Sequence, residues 1–78
     1  MPRYYFHFHG RERLRDEEGQ VLPDGEAAWY QAVRSAREVI RADLQLGCRY
    51  EDRFIEIADE RGAPLVHIPL SEIAGFVT

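Results

Sequence analysis

The sequence predicts an α+β domain in the order β-β-α-β-β, with one long amphipathic helix packed on one face of a small antiparallel sheet. Three observations carry this expectation. The opening stretch YYFHFHG alternates side chains in strand fashion and ends on a glycine. The middle stretch GEAAWYQAVRSAREVIRADLQLG repeats apolar residues at intervals of three and four. A second alternating pair, FIEIA and LVHIP, is divided by DERGAP. Two hairpins flanking one amphipathic helix pair most simply into an antiparallel sheet with the helix on one side.

Residues 3 to 9 form the first expected strand, aromatic-rich, strictly alternating and closed by Gly10. Its aromatic content places it near the centre of the sheet. Residues 11 to 15 predict a weak second strand with Leu14 as its one apolar residue, suited to an edge where charges discourage further pairing. Gly10-Arg11 would turn the hairpin, or Gly10 would form a bulge. DEEG, residues 16 to 19, reads as a polar turn ended by a glycine free to take positive φ.

Asp24 then offers an N-cap, with Pro23 before it and Glu26 in the first turn. From there Trp29, Ala32, Val33, Ala36, Ile40 and Leu44 make an apolar stripe, and Gly47 supplies the stop. The helix spans 24 to 46, about 33 Å at 1.5 Å per residue. Ala32 and Ala36 permit close approach to a sheet, with Trp29 and Ile40 filling the flanks. Strands follow at 53 to 58 and 65 to 70. SEIAGFVT suggests a helical turn begun by Ser71, with Phe76 and Val77 packing beyond it. The expected core is Phe6, Phe8, Leu14, Ala36, Ile40, Ile55, Ile57, Val66 and Ile68.

Seventy-eight residues make a single domain, 1–78, near the lower end of what folds alone. The chain has one cysteine, Cys48, which cannot form an internal disulfide and points to a reducing compartment. No apolar run approaches the ~20 residues of a membrane-spanning helix, and MPRYYFHFHG lacks the features of a signal peptide. A cytoplasmic location is expected. The net charge is −4, and all ten basic residues are arginine. That balance argues against a general nucleic-acid binder.

Alternation assigns the sheet two faces. If the helix covers Tyr4, Phe6, Phe8, Leu14, Ile55, Ile57, Val66 and Ile68, the open face carries Tyr5, His7, His9, Arg13, Arg15, Phe54, Glu56, Ala58, Leu65 and His67. All three histidines fall on it, an assignment that depends on register. The leading use is a protein interface, by self-association or with a partner, since exposed Tyr5, Phe54 and Leu65 would leave an apolar patch. The alternatives are single-stranded nucleic acid, with Tyr5 and Phe54 stacking bases beside Arg13 and Arg15, and weak metal binding. His7 and His9, about 6.7 Å apart along one side of a strand, would share the ion with His67 or Glu56. Histidines grouped beside arginines would make any dimer on this face weaker in mild acid. The acids sit in polar turns, and neither a nucleophile pattern nor a phosphate loop is present, so catalysis and cofactors are not expected.

MPRYYFHFHG, then DEEG, LPD, a helix beginning EAA, and IADERG together resemble a family of short bacterial proteins of unknown function, abundant in rhizobia-like alphaproteobacteria, that start MPRYFF. The resemblance covers about residues 1 to 70 and implies no activity, ligand or catalytic residue. LPDGEAAWYQAVRSAREVI also resembles, more faintly, the amino-terminal domain of HicB-type antitoxins. The chain lacks their Gly-Cys element between Pro-Asp and the helix, and a carboxy-terminal DNA-binding domain like theirs is not expected. This second resemblance implies a partner-binding module.

Overall fold

In a computed structural model, which describes residues 1–10, 13–47 and 53–74, the alternating N-terminal stretch forms strand β1, Arg3–His9. It is followed by β2, Gln20–Val21, the helix α1, Gly25–Leu46, strands β3, Phe54–Ala58, and β4, Pro64–Pro69, and a short helix α2, Leu70–Ala74. The sheet order is β2-β1-β3-β4, with every pairing antiparallel. The result is an α+β fold with aromatic β1 in one of the two central positions. In the β1–β3 register Phe6 faces Ile57 and Phe8 faces Ile55; in β3–β4, Ile55 faces Ile68.

Local chemistry sets the ends of α1. The Asp24 carboxylate accepts the Ala27 N–H at 2.9 Å, satisfying one of the donors that a helix start leaves orphaned. Gly47, at φ 73°, lies in the left-handed region and returns its N–H to the carbonyls of Asp43 and Leu44. Between these caps, Ala28, Ala32, Ala36, Ile40 and Asp43 are buried. Three alanines four residues apart bring the helix axis close to the sheet, where it meets Tyr4, Phe6, Ile55, Ile57 and Ile68. Leu70 and Ile73 of α2 close one end of this core, anchored by the Leu70 N–H on the Arg53 carbonyl at 3.0 Å. Buried Asp43 meets the Arg53 guanidinium at 2.8 Å. That pair neutralises an acid placed unfavourably in the last turn of a helix and ties this turn to the start of β3.

Several expectations are corrected. No strand runs from 11 to 15: Leu14 makes one isolated bridge to Phe8, positions 13 and 15 are not strand, and residues 11 and 12 lie outside the described ones. On that side the strand partner of β1 is instead the two-residue β2. Leu14 is 60% exposed and is not core. Val66 lies on the helix side of the sheet yet is 38% exposed, and Phe8 is only half-buried. For Val66, on the outer strand β4, the cause is width, since a helix ~10 Å across roofs about two strands spaced ~4.8 Å apart, not four. Ala28, and not Trp29, faces the sheet, and Trp29 and Leu44 stand at 43% and 59% exposure. Ala58, expected on the open face, is buried where the β3–β4 register shifts. Cys48, Phe76 and Val77 lie outside the described residues.

Ile40 is fully buried, so Ile40→Ala should cost about 2–5 kcal/mol. Leu14→Ala should stay within about 0.5 kcal/mol. Urea unfolding of the two variants checks both, and a large loss in the Leu14 variant would contradict its exposed placement.

Candidate functional site

The site grows from the outer edge of β1. Phe8 exchanges two backbone hydrogen bonds with Leu14, at 3.0 and 2.8 Å, after which the returning chain leaves the strand. The Phe6 N–H would then be unpaired. It donates instead to the Asp16 carboxylate at 3.1 Å, and pairing resumes where Tyr4 meets Gln20. A side chain thus occupies one rung of the ladder. The same carboxylate accepts the N–H groups of Glu18 at 3.2 Å and Gly19 at 3.1 Å, folding 16–19 into a tight turn. Gly19 sits at φ 68°, and a Cβ there would stand 2.7 Å from the Tyr4 carbonyl oxygen. Both facts require glycine.

Asp16 also orients a histidine. Its own N–H donates to His7 Nδ1 at 3.0 Å, so the ring proton of neutral His7 resides on Nε2. Burial works to raise the Asp16 carboxyl, but the N–H groups of Gly19, Phe6 and Glu18 and the nearby His7 outweigh it. The net effect holds Asp16 below the usual aspartate value.

On the open face the rings stack mainly with one another. Tyr5 and His7 are within 13° of parallel, with centroids 6.4 Å apart. His9 lies on Phe54 at 4.5 Å and 5°, and His67 tilts against the same ring at 5.0 Å. Between them the largely buried Glu56 carboxylate places Oε1 3.2 Å from His9 Nε2 and 3.6 Å from His67 Nε2. His9 Nε2 is sealed from solvent and lacks hydrogen-bond geometry to Glu56 in spite of the 3.2 Å approach.

The structure therefore joins His9, Phe54 and His67 in one row and Tyr5 with His7 in another. Arg13 and Arg15 stand on the connection between β1 and β2 and not on a strand, and of the two only Arg15 lines the cleft that His7 also lines. His7 is buried, at 7% exposure, and is not on an open surface. The cluster of like charges expected from histidines beside arginines is replaced by imidazoles flanking a carboxylate. Among the described residues, no group of three or more His, Cys, Asp or Glu is placed to hold a metal ion. Asp16 was not among the site residues expected from the sequence. Its signal was an aspartate three residues before a glycine, the pattern of a side chain closing its own turn.

Beside Tyr5 and His7 lies a polar cleft of about 480 Å³. Its walls are the Arg15–Glu17 segment on one side and the Asp59–Gly62 turn on the other. The second turn is built like the first, with Asp59 accepting the N–H groups of Arg61 at 2.8 Å and Ala63 at 2.9 Å.

Replacing Asp16 by Ala orphans the Phe6 donor and should cost about 1–3 kcal/mol at neutral pH. Asp16→Asn tests the charge. Because the folded-state value is depressed, the stabilisation is complete above the unfolded aspartate value of about 3.9 and is lost as pH falls through the folded value. The drop in urea midpoint between about pH 6 and about pH 3 should be smaller in Asp16→Asn than in the wild type. An equal drop would show that the depressed carboxyl is not Asp16.

Among the described residues no helix is long and apolar enough to cross a membrane. Neither a curated protein nor a solved structure matches the chain. A family model does match, over residues 3–71, which takes in every strand, all of α1 and the turns that shape the cleft. The chain belongs to the family described as Domain of unknown function (DUF6894).

Proposed function

We propose that the chain is a non-enzymatic protein-interaction module that self-associates through the outer side of β4. The observation that carries this is the apolar exposure of that edge. β4 reads PLVHIP, six residues without an acid or an arginine, and Leu65 and Val66 are exposed. With Pro64 and His67 they line a shallow depression of about 250 Å³. Edge strands that stay unpartnered usually carry charges.

The form of contact follows from the backbone. Ile57 pairs with Val66 and Ala58 with Pro64, so Leu65 is the extra residue of a bulge. Pro64 and Pro69 have no N–H to donate. Strand addition along this edge is therefore restricted, and the contact is made by side chains around Leu65 and Val66.

This reading narrows the choice between open face and edge. Phe54, which would have to stack a nucleobase, already stacks with His9 and His67 beside the Glu56 carboxylate. The groups nearest to acid–base chemistry are committed to the fold: His7 Nδ1 to the Asp16 N–H, and Asp59 to its own turn. Both points favour an interaction module over catalysis or nucleic-acid binding.

Sedimentation equilibrium over a range of micromolar concentrations is the test. The wild type should show a concentration-dependent dimer, and Leu65→Glu should be monomeric with an unchanged circular dichroism spectrum. A wild type that stays monomeric throughout, or a Leu65→Glu variant that dimerises equally well, overturns the proposal.

A further inference from the structure

The two aspartate-gripped turns leave several charged groups unspent, and these converge on the cleft beside Tyr5 and His7. Its volume of about 480 Å³ falls within the ~300–1,000 Å³ typical of small-molecule sites. Of the four carboxylates lining it, Asp16 and Asp59 are taken up by backbone N–H groups, and Glu60 Oε1 accepts the Arg3 N–H at 2.8 Å. The second oxygen of Glu60 has no such bond, and exposed Glu17 has no side-chain partner among the described residues. Neither does the guanidinium of Arg15 or of Arg61.

Free groups of both signs therefore share one concavity. A simple anion would use the arginines but would meet four carboxylates against two guanidiniums. A simple cation would use the glutamates and leave both arginines without a partner, although their planar forks suit a carboxylate. A ligand carrying both charges satisfies the two sets together.

We propose that this cleft binds a small zwitterion of the α-amino-acid class, its carboxylate on Arg15 and Arg61, its ammonium on Glu17 and Glu60, and its side chain against Tyr5. Tyr5 and His7 line the cleft with nearly parallel rings, which favours a planar side chain on the ligand. The site is distinct from the β4 contact and shares no residue with it. The walls are polar and solvated, so affinity is modest, with Kd on the order of 1 mM.

The test is an amide chemical-shift titration of the full chain with L-phenylalanine, using N-acetyl-L-phenylalanine and L-phenylalaninamide as probes that each lack one charge. L-phenylalanine should give saturable shifts at Tyr5, His7 and Gly62, and each capped compound should bind about fivefold more weakly or worse. Arg61→Gln should weaken L-phenylalanine while leaving the amide unchanged. Glu17→Gln should weaken L-phenylalanine while leaving the N-acetyl compound unchanged. Both positions are exposed, so the spectra away from the cleft should not move. No saturable shift up to about 10 mM, or a capped compound binding as tightly as L-phenylalanine, overturns the proposal.

Discussion

A single helix has to cover a four-stranded sheet, and most features of this molecule follow from how it does so. Ala28, Ala32 and Ala36 bring α1 close over the two central strands, where Phe6, Ile55 and Ile57 fill the contact. Close approach gives a dense core in a chain with little apolar area to bury. It also leaves a helix of ordinary width above a wider sheet, so both outer strands lie partly beyond its cover.

The two edges meet this exposure in different ways. On the β2 side little strand remains: two residues pair, and the Asp16 carboxylate satisfies a donor that a longer strand would have taken. A carboxylate held by three N–H groups is a strong acceptor, which is why so short a strand suffices. On the β4 side the strand is longer, and α2 folds back from its end to bury Leu70 and Ile73. That covers one end of β4 and leaves Leu65 and Val66 uncovered at the other.

The cleft is a by-product of the same economy. Asp16 and Asp59 each close a turn by accepting neighbouring backbone N–H groups, and the turns stand on either side of Tyr5 and His7. Polar turns must satisfy their own donors when no strand does so. Once the aspartates have done this, the adjacent Arg15, Glu17 and Arg61 have no side-chain partner among the described residues. Structure and candidate ligand chemistry thus arise from neighbouring residues with separate duties, one set holding the backbone and the other facing the space that it encloses.

Sequence alone determined what depends on local periodicity and capping. The alternation of YYFHFH, the helix from Asp24 to Gly47, and the pair FIEIA and LVHIP each encode their own geometry, because side-chain spacing and end chemistry act within a few residues. Face parity also followed for Tyr4, Phe6, Ile55, Ile57 and Ile68. Tertiary structure decided what depends on cover and long-range pairing. Leu14 and Val66 carry core-type side chains yet lie where the helix does not reach, and no local pattern records the width of a helix against a sheet. Ala28 displaced Trp29 because close approach selects the smaller side chain, a preference set by the opposing surface. His7 is buried and oriented by a residue nine positions away, while His9 and His67 share Glu56 across three strands. Those partnerships exist only once the register is fixed, so the chemistry of the three histidines belongs to the fold and not to the local sequence around each of them.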